Sequence, residues 1–338
     1  MTYVTLLINT PIEAIAQTAT LSPSVSYQYA NKWGSKGSEF GQFLYPSGIV
    51  IDSSNNVYVT DNGNSRIQKF DSNGNFITKW DLDSPDPGHI IRPEGIAVDH
   101  SGSVYIDDYY TSDILKLDIN GNLIKKWGSK GPDNGQFVGP EGIAVDSSGS
   151  IYISDNGNSR IQKFDSNGNF ITKWGSKGSD IGQGDKPEGI AVDSSHNVYV
   201  TDYNSNSIAK FDSNGKLITK WRTTNPEDIA IDSSHNVYVT DYNGILKFDS
   251  NGKLITKWGS YGTCNGQFIG SGGIAINSSG YVYVTDVGNN RIQIFAPNTH
   301  SIFSINDHSK NVTSTISGNT ASTGEKMTSS HAGISDQI

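Results

Sequence analysis

The sequence has very little of the chemistry that disulfide-linked, thiolate-metal or membrane-spanning proteins need. Cys264 is its only cysteine, which excludes an intrachain disulfide and a zinc cluster built from thiolates. We therefore interpret Cys264 as a packing residue and not as a nucleophile. No run of about 18 apolar residues occurs, so no segment is predicted to cross a membrane as a helix.

Charge and helical periodicity are scarce as well. Charged residues make up 17% of the chain, and the formal net charge is −9. This acidic balance argues against a general affinity for nucleic acid or anionic lipid, because both carry negative charge. No segment keeps an apolar period of about 3.6 residues, so helices are not expected. Abundant Gly, Ser, Asn and Asp instead favour short strands joined by tight turns.

What the sequence does contain is an internal repeat marked by its tryptophans. The six tryptophans lie 47, 47, 47, 47 and 37 residues apart, at Trp33, Trp80, Trp127, Trp174, Trp221 and Trp258. Around them recur variants of Pro-x-Gly-Ile-Ala-Val-Asp, Val-Tyr-Val-Thr-Asp, Arg-Ile-Gln-Lys-Phe-Asp and Asn-Phe-Ile-Thr-Lys-Trp-Gly. A repeat of this length is one supersecondary unit that buries its apolar faces against its neighbours.

Each repeat is predicted to form four strands. In the third repeat these run from Gly142 to Asp146, Ser150 to Asp155, Arg160 to Asp165 and Asn169 to Trp174. The last two are joined by Asp-Ser-Asn-Gly. Asn-Gly between two alternating runs indicates a type I′ hairpin, with a positive φ at both residues. Four strands per repeat, repeated radially, are typical of a propeller blade.

The number of repeats predicts a closed ring. Innermost strands begin near Pro46, Pro93, Pro140, Pro187, Pro226 and Ser271. The sixth repeat lacks its fourth strand, and the missing strand is found at the other end of the chain, from Tyr27 to Trp33. Pairing these chain ends removes two exposed sheet edges. We therefore predict an all-β fold, a six-bladed β-propeller of four-stranded antiparallel blades closed by an N-terminal strand that completes the last blade.

The repeated segments resemble the NHL repeat over about residues 27–297. The resemblance recurs six times in order and implies a propeller fold. The repeats depart from the pattern at a few positions. Asp113-Ile114-Leu115 replaces Arg-Ile-Gln in the second repeat, the fourth and fifth repeats also lack the Arg, and Asn277 replaces an Asp in the sixth.

Two segments flank the repeats. Residues 1–26 are predicted to be a leader, and we interpret them as a degraded or truncated secretory signal because a short apolar patch precedes Ala14-Ile15-Ala16. A disordered leader is the alternative. Residues 298–338 are rich in Ser and Thr and are predicted to be a disordered tail. A secretory signal predicts an extracytoplasmic or secreted protein, and its absence a cytoplasmic one.

Four glutamates are the first candidate site. Glu94, Glu141, Glu188 and Glu227 hold equivalent positions at the start of four innermost strands, at the rim that we call the top. They are predicted to face the channel mouth, where close carboxylates raise one another's pKa or recruit Ca²⁺ or Mg²⁺. The alternative is that each Glu caps its own loop or pairs with a nearby Lys or Arg.

Residues at the ends of the second strands are further candidates. Tyr109, Tyr203 and Tyr242 each follow the strand-ending Asp of their repeat, and rigid aromatic side chains add contact area to a binding surface at low entropic cost. The alternative is that they pack between loops. The Asp residues recur in all six repeats, so we interpret them as turn-forming acceptors of backbone N–H groups: Asp61, Asp108, Asp155, Asp202, Asp241 and Asp286.

The fifth repeat has a shorter top loop. From Trp221 to Pro226 the spacing is 5 residues, whereas the other five repeats have 13. Asp241-Tyr242-Asn243-Gly244 also runs almost directly into the third strand. These changes predict a notch in the top rim at blade 5, with neutral loop deletion as the alternative.

The resemblance implies several functions. The streptogramin-inactivating lyases and the peptide-amidating lyase are similar propellers that use His and carboxylate groups around a metal. This sequence places only His89 in a top loop. Lactonase-like enzymes use Glu, Asn and Asp around a divalent cation, and the four Glu residues keep a cation-dependent lyase or lactonase-like enzyme as the alternative. RNA-binding NHL propellers have a basic top face, which acidic residues offset here, so RNA binding is disfavoured.

We therefore predict a non-enzymatic binding or scaffold module. Its top face recognises a protein, peptide or glycan, with Glu94, Glu141, Glu188, Glu227, Tyr109, Tyr203 and Tyr242 as binding residues. We expect a monomer that has no cofactor. Ca²⁺ or Mg²⁺ at the four Glu residues is the alternative.

Overall fold

The computed structural model describes residues 4–6, 17–19, 26–82, 91–176 and 185–298. Two short strands near the N-terminus, β1 (Val4–Leu6) and β2 (Gln17–Ala19), pair antiparallel. The predicted leader and tail lie largely outside the described residues and stay predictions, as does His89. Helix in the described residues is limited to two single 3-10 turns, Asn62–Asn64 and Asn156–Asn158, and no described helix is long and apolar enough to cross a membrane.

Six four-stranded antiparallel sheets form the blades. The innermost strands are β4 (Pro46–Ile51), β8 (Pro93–Val98), β12 (Pro140–Val145), β16 (Pro187–Val192), β20 (Pro226–Ile231) and β26 (Ser271–Ile276). The second strands are β5 (Val57–Asp61), β9 (Val104–Asp108), β13 (Ile151–Asp155), β17 (Val198–Asp202), β21 (Val237–Asp241) and β27 (Val282–Asp286).

The third strands are β6 (Arg66–Phe70), β10 (Asp113–Leu117), β14 (Arg160–Phe164), β18 (Ser207–Phe211), β22 (Gly244–Phe248) and β28 (Arg291–Asn298). The outer strands are β7 (Phe76–Asp81), β11 (Leu123–Gly128), β15 (Phe170–Trp174), β19 (Leu217–Arg222), β23 (Leu254–Trp258) and β3 (Ser26–Trp33). A short parallel pair, β24 (Ser260–Tyr261) and β25 (Gln267–Phe268), precedes blade 6.

The blades form a closed ring, which confirms the predicted six-bladed propeller. Each innermost strand packs beside the innermost strands of both neighbouring blades, and β26 packs beside β4. The predicted closure is confirmed as well, because the sixth sheet has the order β26-β27-β28-β3. Its outer strand therefore comes from the N-terminal end of the propeller and its other three strands from the C-terminal end.

The core lies between neighbouring blades. The second strands read Val-Tyr-Val-Thr-Asp or a close variant, and both faces are buried because each sheet packs against a sheet on either side. At the junction of blades 6 and 1, for example, Val57, Val59 and Phe70 pack with Tyr283 and Ile292. One such apolar cluster fills each of the six junctions in the described residues.

The hairpins between third and outer strands cover the tryptophans of the preceding blade. Gly168 of blade 3 lies directly against the Trp127 ring of blade 2. The predicted type I′ turn is wrong, because Gly168 has a positive φ (72°) and Asn167 does not. The Asp165 carboxylate accepts the N–H groups of Asn167 and Asn169, at 2.9 and 2.8 Å. This side-chain bonding stabilises a turn that needs a left-handed residue only at the glycine.

The hairpin glycine gives a test of this packing. Gly168→Ala places a Cβ at a φ of +72° and 2.8 Å from a Trp127 ring atom. Gly135→Ala is a matched control, because its φ is +78° and no atom lies within 4 Å of its Cβ position. We expect the control to cost about 1 kcal/mol for the left-handed backbone. Gly168→Ala should cost about 1–3 kcal/mol more through overpacking. Chemical denaturation measures both, and equal costs would mean that the indole moves aside freely.

Candidate functional site at the channel mouth

The top rim is built by the strand-ending aspartates. The Asp61 carboxylate accepts the backbone N–H of Leu44 at 2.8 Å, Arg66 Nε at 2.7 Å and Gln68 Nε2 at 3.1 Å. The Arg66 guanidinium in turn donates to three carbonyl oxygens of the preceding loop, those of Ser38, Glu39 and Gln42. These hydrogen bonds hold the loop against the blade. The same network recurs around Asp155 with Arg160 and around Asp286 with Arg291.

The predicted role of these aspartates is confirmed, because all six accept a backbone N–H. The arginine is absent from blades 2, 4 and 5, where Asp113, Ser207 and Gly244 begin the third strand. Three of the four blades that carry the candidate glutamates therefore lack the arginine network. In blade 5 the top connections are short, with residues 223–225 before β20 and residues 242–243 before β22.

The central channel contains a cavity of about 690 Å³ that is lined by all four candidate glutamates, Glu94, Glu141, Glu188 and Glu227. Tyr109 and Tyr203 line it too, together with Tyr110, Arg92, Lys186 and Asp228. Tyr242 is not among the lining residues. It is 47% exposed and stacks on Tyr261, with 6.3 Å between ring centroids. The ring therefore brings six of the seven candidate residues to one cavity.

Neighbouring polar side chains hold Glu94 in place. Ser47 Oγ donates to one carboxylate oxygen at 2.5 Å, and Asn62 Nδ2 donates to the other. Both donors come from blade 1, so Glu94 of blade 2 is held across a blade junction. Burial raises the pKa of Glu94 above its ordinary value, and these hydrogen bonds oppose the rise.

Glu141 and Glu188 share one lysine. Lys186 Nζ lies 2.5 Å from Glu188 Oε1 and 3.9 Å from Glu141 Oε1. Asn156 Nδ2 also donates to Glu141, at 2.7 Å. Burial and the Glu188 charge together raise the pKa of Glu141 to about 8, and burial also raises the pKa of Glu188. The ammonium lies over the Tyr203 ring, 5.1 Å from its centroid.

Glu227 and Asp228 lie at the mouth of blade 5. Within the described residues the Glu227 carboxylate has no hydrogen bond or ion pair. Burial and the Glu188 charge raise its pKa to about 7. Asp228 Oδ2 accepts the Ile274 N–H at 2.9 Å, which ties blade 5 to blade 6, and burial raises the pKa of Asp228 to about 6.

Two carboxyl groups near the cavity were missed by the sequence reasoning. Asp228 stands where the equivalent positions of blades 2, 3 and 4 have Gly95, Gly142 and Gly189. Asp107 stands where the other repeats have Thr or Ser, and its side chain is fully buried. The available signal was the departure of each residue from an otherwise regular repeat.

These carboxylates do not form a ready-made cation site. In the part of the chain that the structure describes, no three His, Cys, Asp or Glu side chains are grouped as metal ligands. Lys186 instead lies between two of the four glutamates. The residues present therefore do not fit a divalent cation held by protein ligands alone.

Comparison with protein families identifies the repeat. The model of the NHL repeat matches residues 43–70, 137–164, 185–211 and 272–295. These segments correspond to blades 1, 3, 4 and 6 of the six-bladed ring. The chain is a six-bladed β-propeller with NHL repeats at four positions. The two blades of this NHL propeller without a match are 2 and 5, which carry Asp107 and Asp228.

Solved structures share the fold of this NHL propeller at low identity. Virginiamycin B lyase from Staphylococcus aureus is 16% identical with a TM-score of 0.58, over 80% of this chain and 99% of that chain. A gluconolactonase from Xanthomonas campestris is 14% identical with a TM-score of 0.59, over 77% and 88%. A Bacteroides thetaiotaomicron protein of unknown function is 16% identical with a TM-score of 0.63, over 81% and 76%. A comparison with curated proteins found no match.

Proposed function

We propose that this NHL propeller is a binding module whose channel mouth takes a positively charged group of its ligand, the basic side chain of a peptide or protein. The mouth supports this proposal because five carboxyl groups line one cavity of about 690 Å³, where Arg92 and Lys186 are the lining cations. Lys186 is already bonded to Glu188. A ligand cation would offset the remaining negative charge in a partly buried site, where charge pairs are screened less than at an open surface.

The observation that carries the proposal is the unoccupied acceptor on Glu227. In repeats 1 and 3 an Asn follows the strand-ending Asp, and these residues, Asn62 and Asn156, donate to Glu94 and Glu141. Repeats 4 and 5 have Tyr203 and Tyr242 there. No described side chain donates to Glu227, so an ammonium or guanidinium from a ligand supplies the missing donor. The top connections of blade 5 are short, at residues 223–225 and 242–243.

Tyrosines would complete the site. Arg92 lies 5.1 Å from the centroid of the Tyr110 ring, and Lys186 the same distance from that of Tyr203. These ring faces therefore already accept cations. Tyr109 packs partly against Gly139 of the next blade and partly faces the cavity, where it would contact the ligand.

A charge-matched pair of peptides tests the proposal. The probes are an N-acetylated Gly-Lys-Gly amide and the same peptide with its lysine Nε acetylated, with binding followed by calorimetry or NMR. We expect the lysine peptide to bind more tightly, and Glu227→Gln to weaken it about tenfold by removing a charged acceptor. Glu39→Gln is the control, since it removes one exposed charge from a loop of the same rim.

The pH dependence of binding follows from the raised pKa of Glu227. Its ordinary value is 4.5 and its value in the fold is about 7, so the carboxyl ionises across neutral pH. Lysine binding should therefore strengthen from about pH 6 to about pH 8, and the rise should be smaller in Glu227→Gln. Equal binding of the two peptides would refute the charge argument. Binding of a neutral oligosaccharide in their place would favour a glycan ligand.

Acid–base catalysis is the second candidate function, and one observation favours it. The pKa values of Glu141 and Glu227 are raised to about 8 and about 7 in one cavity, which suits a proton donor and a proton acceptor at neutral pH. The virginiamycin B lyase and the gluconolactonase with the same fold make virginiamycin B and gluconolactone the first substrates to screen. Turnover that is lost in both Glu141→Gln and Glu227→Gln would support it.

The metal-dependent form of that candidate is tested separately. Chelator-treated protein is melted with and without Ca²⁺ or Mg²⁺, beside a variant in which Glu94, Glu141, Glu188 and Glu227 are all Gln. A rise in melting temperature that only the natural chain shows would establish a cation at the glutamates. Secretion and a monomeric state remain proposals, which fractionation and light scattering test.

A further inference from the structure

A threonine clasp joins neighbouring blades beneath the mouth. In blade 1, Thr60 Oγ1 accepts the N–H of Gly48 from its own innermost strand at 2.6 Å and donates to the Glu94 carbonyl oxygen of blade 2 at 3.0 Å. Equivalent hydroxyls donate to the next blade in three more places, Thr201 to Glu227, Thr240 to Gly272 and Thr285 to Ser47, at 2.6, 2.7 and 2.8 Å. The clasp therefore fixes the backbone that carries Glu94 and Glu227.

Blade 2 has an aspartate at the clasp position. Asp107 Oδ1 accepts the Gly95 N–H at 3.0 Å, as the threonine oxygen does in blade 1. Asp107 Oδ2 is buried and has no hydrogen-bond partner among the described residues. Asp107 Oδ2 and the Glu141 carbonyl oxygen of blade 3 both lie next to Gly95, since a Cβ built on Gly95 would be 2.5 Å from the first oxygen and 3.0 Å from the second.

Two acceptor oxygens that share a buried space are unfavourable unless one of them carries a proton. We propose that Asp107 is protonated at neutral pH and that its Oδ2–H donates to the Glu141 carbonyl oxygen, completing the clasp between blades 2 and 3. The Asp107 side chain of blade 2 then donates a hydrogen bond to a carbonyl oxygen of the next blade, as the threonine hydroxyl does in four other blades. The inference stands whether or not the mouth binds a cation.

The groups around Asp107 favour the protonated form. The facing charged groups are Glu94 on β8, Asp108 on β9 and Glu141 on β12, all of them acidic. The nearest charged group on β10 is Asp113, which forms an ion pair with Lys126 at 2.7 Å. Complete burial, followed by these carboxylates, raises the pKa of Asp107 well above its ordinary range.

The clasp makes the junction of blades 2 and 3 sensitive to pH. Loss of the Asp107 proton removes the donor to the Glu141 carbonyl and places a charge beside three carboxylates. Because the native pKa lies above the unfolded one, the contribution of Asp107 to stability is complete below about pH 4 and is lost as the pH rises towards the native value. Glu141 lines the mouth, so Asp107 acts as a positioning residue for it.

The test compares the natural chain with Asp107→Asn and Asp107→Thr. Both replacements keep a donor for the Glu141 carbonyl and cannot ionise. From about pH 4 upward, the unfolding equilibrium constant of the natural chain should rise relative to either variant by up to tenfold per pH unit. Thr60→Val in blade 1 is the control, since it removes a clasp that has no titrating group and should leave the pH dependence unchanged.

Infrared spectroscopy detects the proton on the Asp107 carboxyl directly, without a measurement of protein stability. The natural chain at neutral pH should show the carbonyl stretch of a protonated carboxylic acid, reduced in the Asp107→Asn difference spectrum. Parallel pH profiles of the natural chain and the Asn variant, or a difference spectrum that shows a carboxylate at neutral pH, would overturn the proposal.

Discussion

A chain that begins at Gly34, and so lacks β3, is expected to lose the cooperative folding of the propeller. The sixth blade would keep three strands, and the edge of β28 would expose unpaired backbone groups that favour aggregation. The ring would also lose the aromatic contact that closes it. Tyr27 stacks on Trp258 with 4.3 Å between centroids, and its hydroxyl hydrogen-bonds that of Tyr238 at 2.8 Å.

Tyr27 covers a tryptophan ring that a hairpin glycine covers in the other blade junctions. In the other blade junctions the glycine of the next hairpin covers the tryptophan, as Gly168 covers Trp127. Blade 6 has no such hairpin, because its third and outer strands belong to opposite ends of the propeller. The Tyr27 ring covers Trp258 instead. Tyr27→Ala alone should therefore cost about 3 kcal/mol, the low end for loss of a packed aromatic side chain.

Size-exclusion chromatography and thermal melting followed by circular dichroism measure the effect of the deletion. A chain that begins at Ser26 and keeps β3 is the control and should melt as the natural chain does. Adding a peptide of residues 26–33 should restore the folded state of the shortened chain. If the chain from Gly34 melts cooperatively at the temperature of the control, β3 does not close the ring.

The second large effect is expected at Asp155. Its side chain is fully buried and lies 2.6 Å from Arg160 Nε, and the Arg160 side chain is only 8% exposed. Asp155→Ala leaves a buried guanidinium without its charge partner and removes the acceptor for the Val138 N–H. Breaking such a pair costs about 3–5 kcal/mol. We therefore expect a large fall in the denaturation midpoint with little change in the denaturant slope.

Blade 4 offers a matched control for this pair. Asp202 is the equivalent residue and accepts the N–H groups of Asp185 and Ser205, at 2.9 and 3.0 Å, but Ser207 stands in place of the arginine. Asp202→Ala should therefore cost only about 1–3 kcal/mol, the penalty for unsatisfied backbone donors. If Asp155→Ala and Asp202→Ala lose equal stability, the ion pair with Arg160 does not contribute to stability beyond the hydrogen bonds that the aspartate makes with the backbone.

The architecture could be predicted from local patterns because the same pattern of strand and turn residues recurs six times along the chain. The second strand of the third repeat was predicted from Ser150 to Asp155 and is observed from Ile151 to Asp155. Closure followed from a count of strands at the two chain ends. The turn type could not be read in the same way, because the Asp165 carboxylate overrides the preference that Asn-Gly shows in isolation.

The candidate site was predictable only in part. Equivalent positions in a closed ring lie at the same height, which is why Glu94, Glu141, Glu188 and Glu227 were placed at one mouth. Their different partners were not predictable, since Lys186 lies next to Glu188 in the blade but also reaches Glu141 across a junction. Tyr242 was grouped with Tyr109 and Tyr203 by sequence position, yet the short loops of blade 5 place it outside the cavity lining.

The sequence by itself determined the number of blades, the order of strands and the four glutamates that meet at the mouth, because these depend on period, alternation and turn residues along the chain. Only the tertiary structure decided which mouth carboxylates have partners, that Tyr27 covers Trp258, and that Asp107 is buried with one carboxylate oxygen that has no described partner. The physical reason is that hydrogen-bond satisfaction and charge burial depend on neighbours from the next blade, which the order of residues within one repeat does not specify.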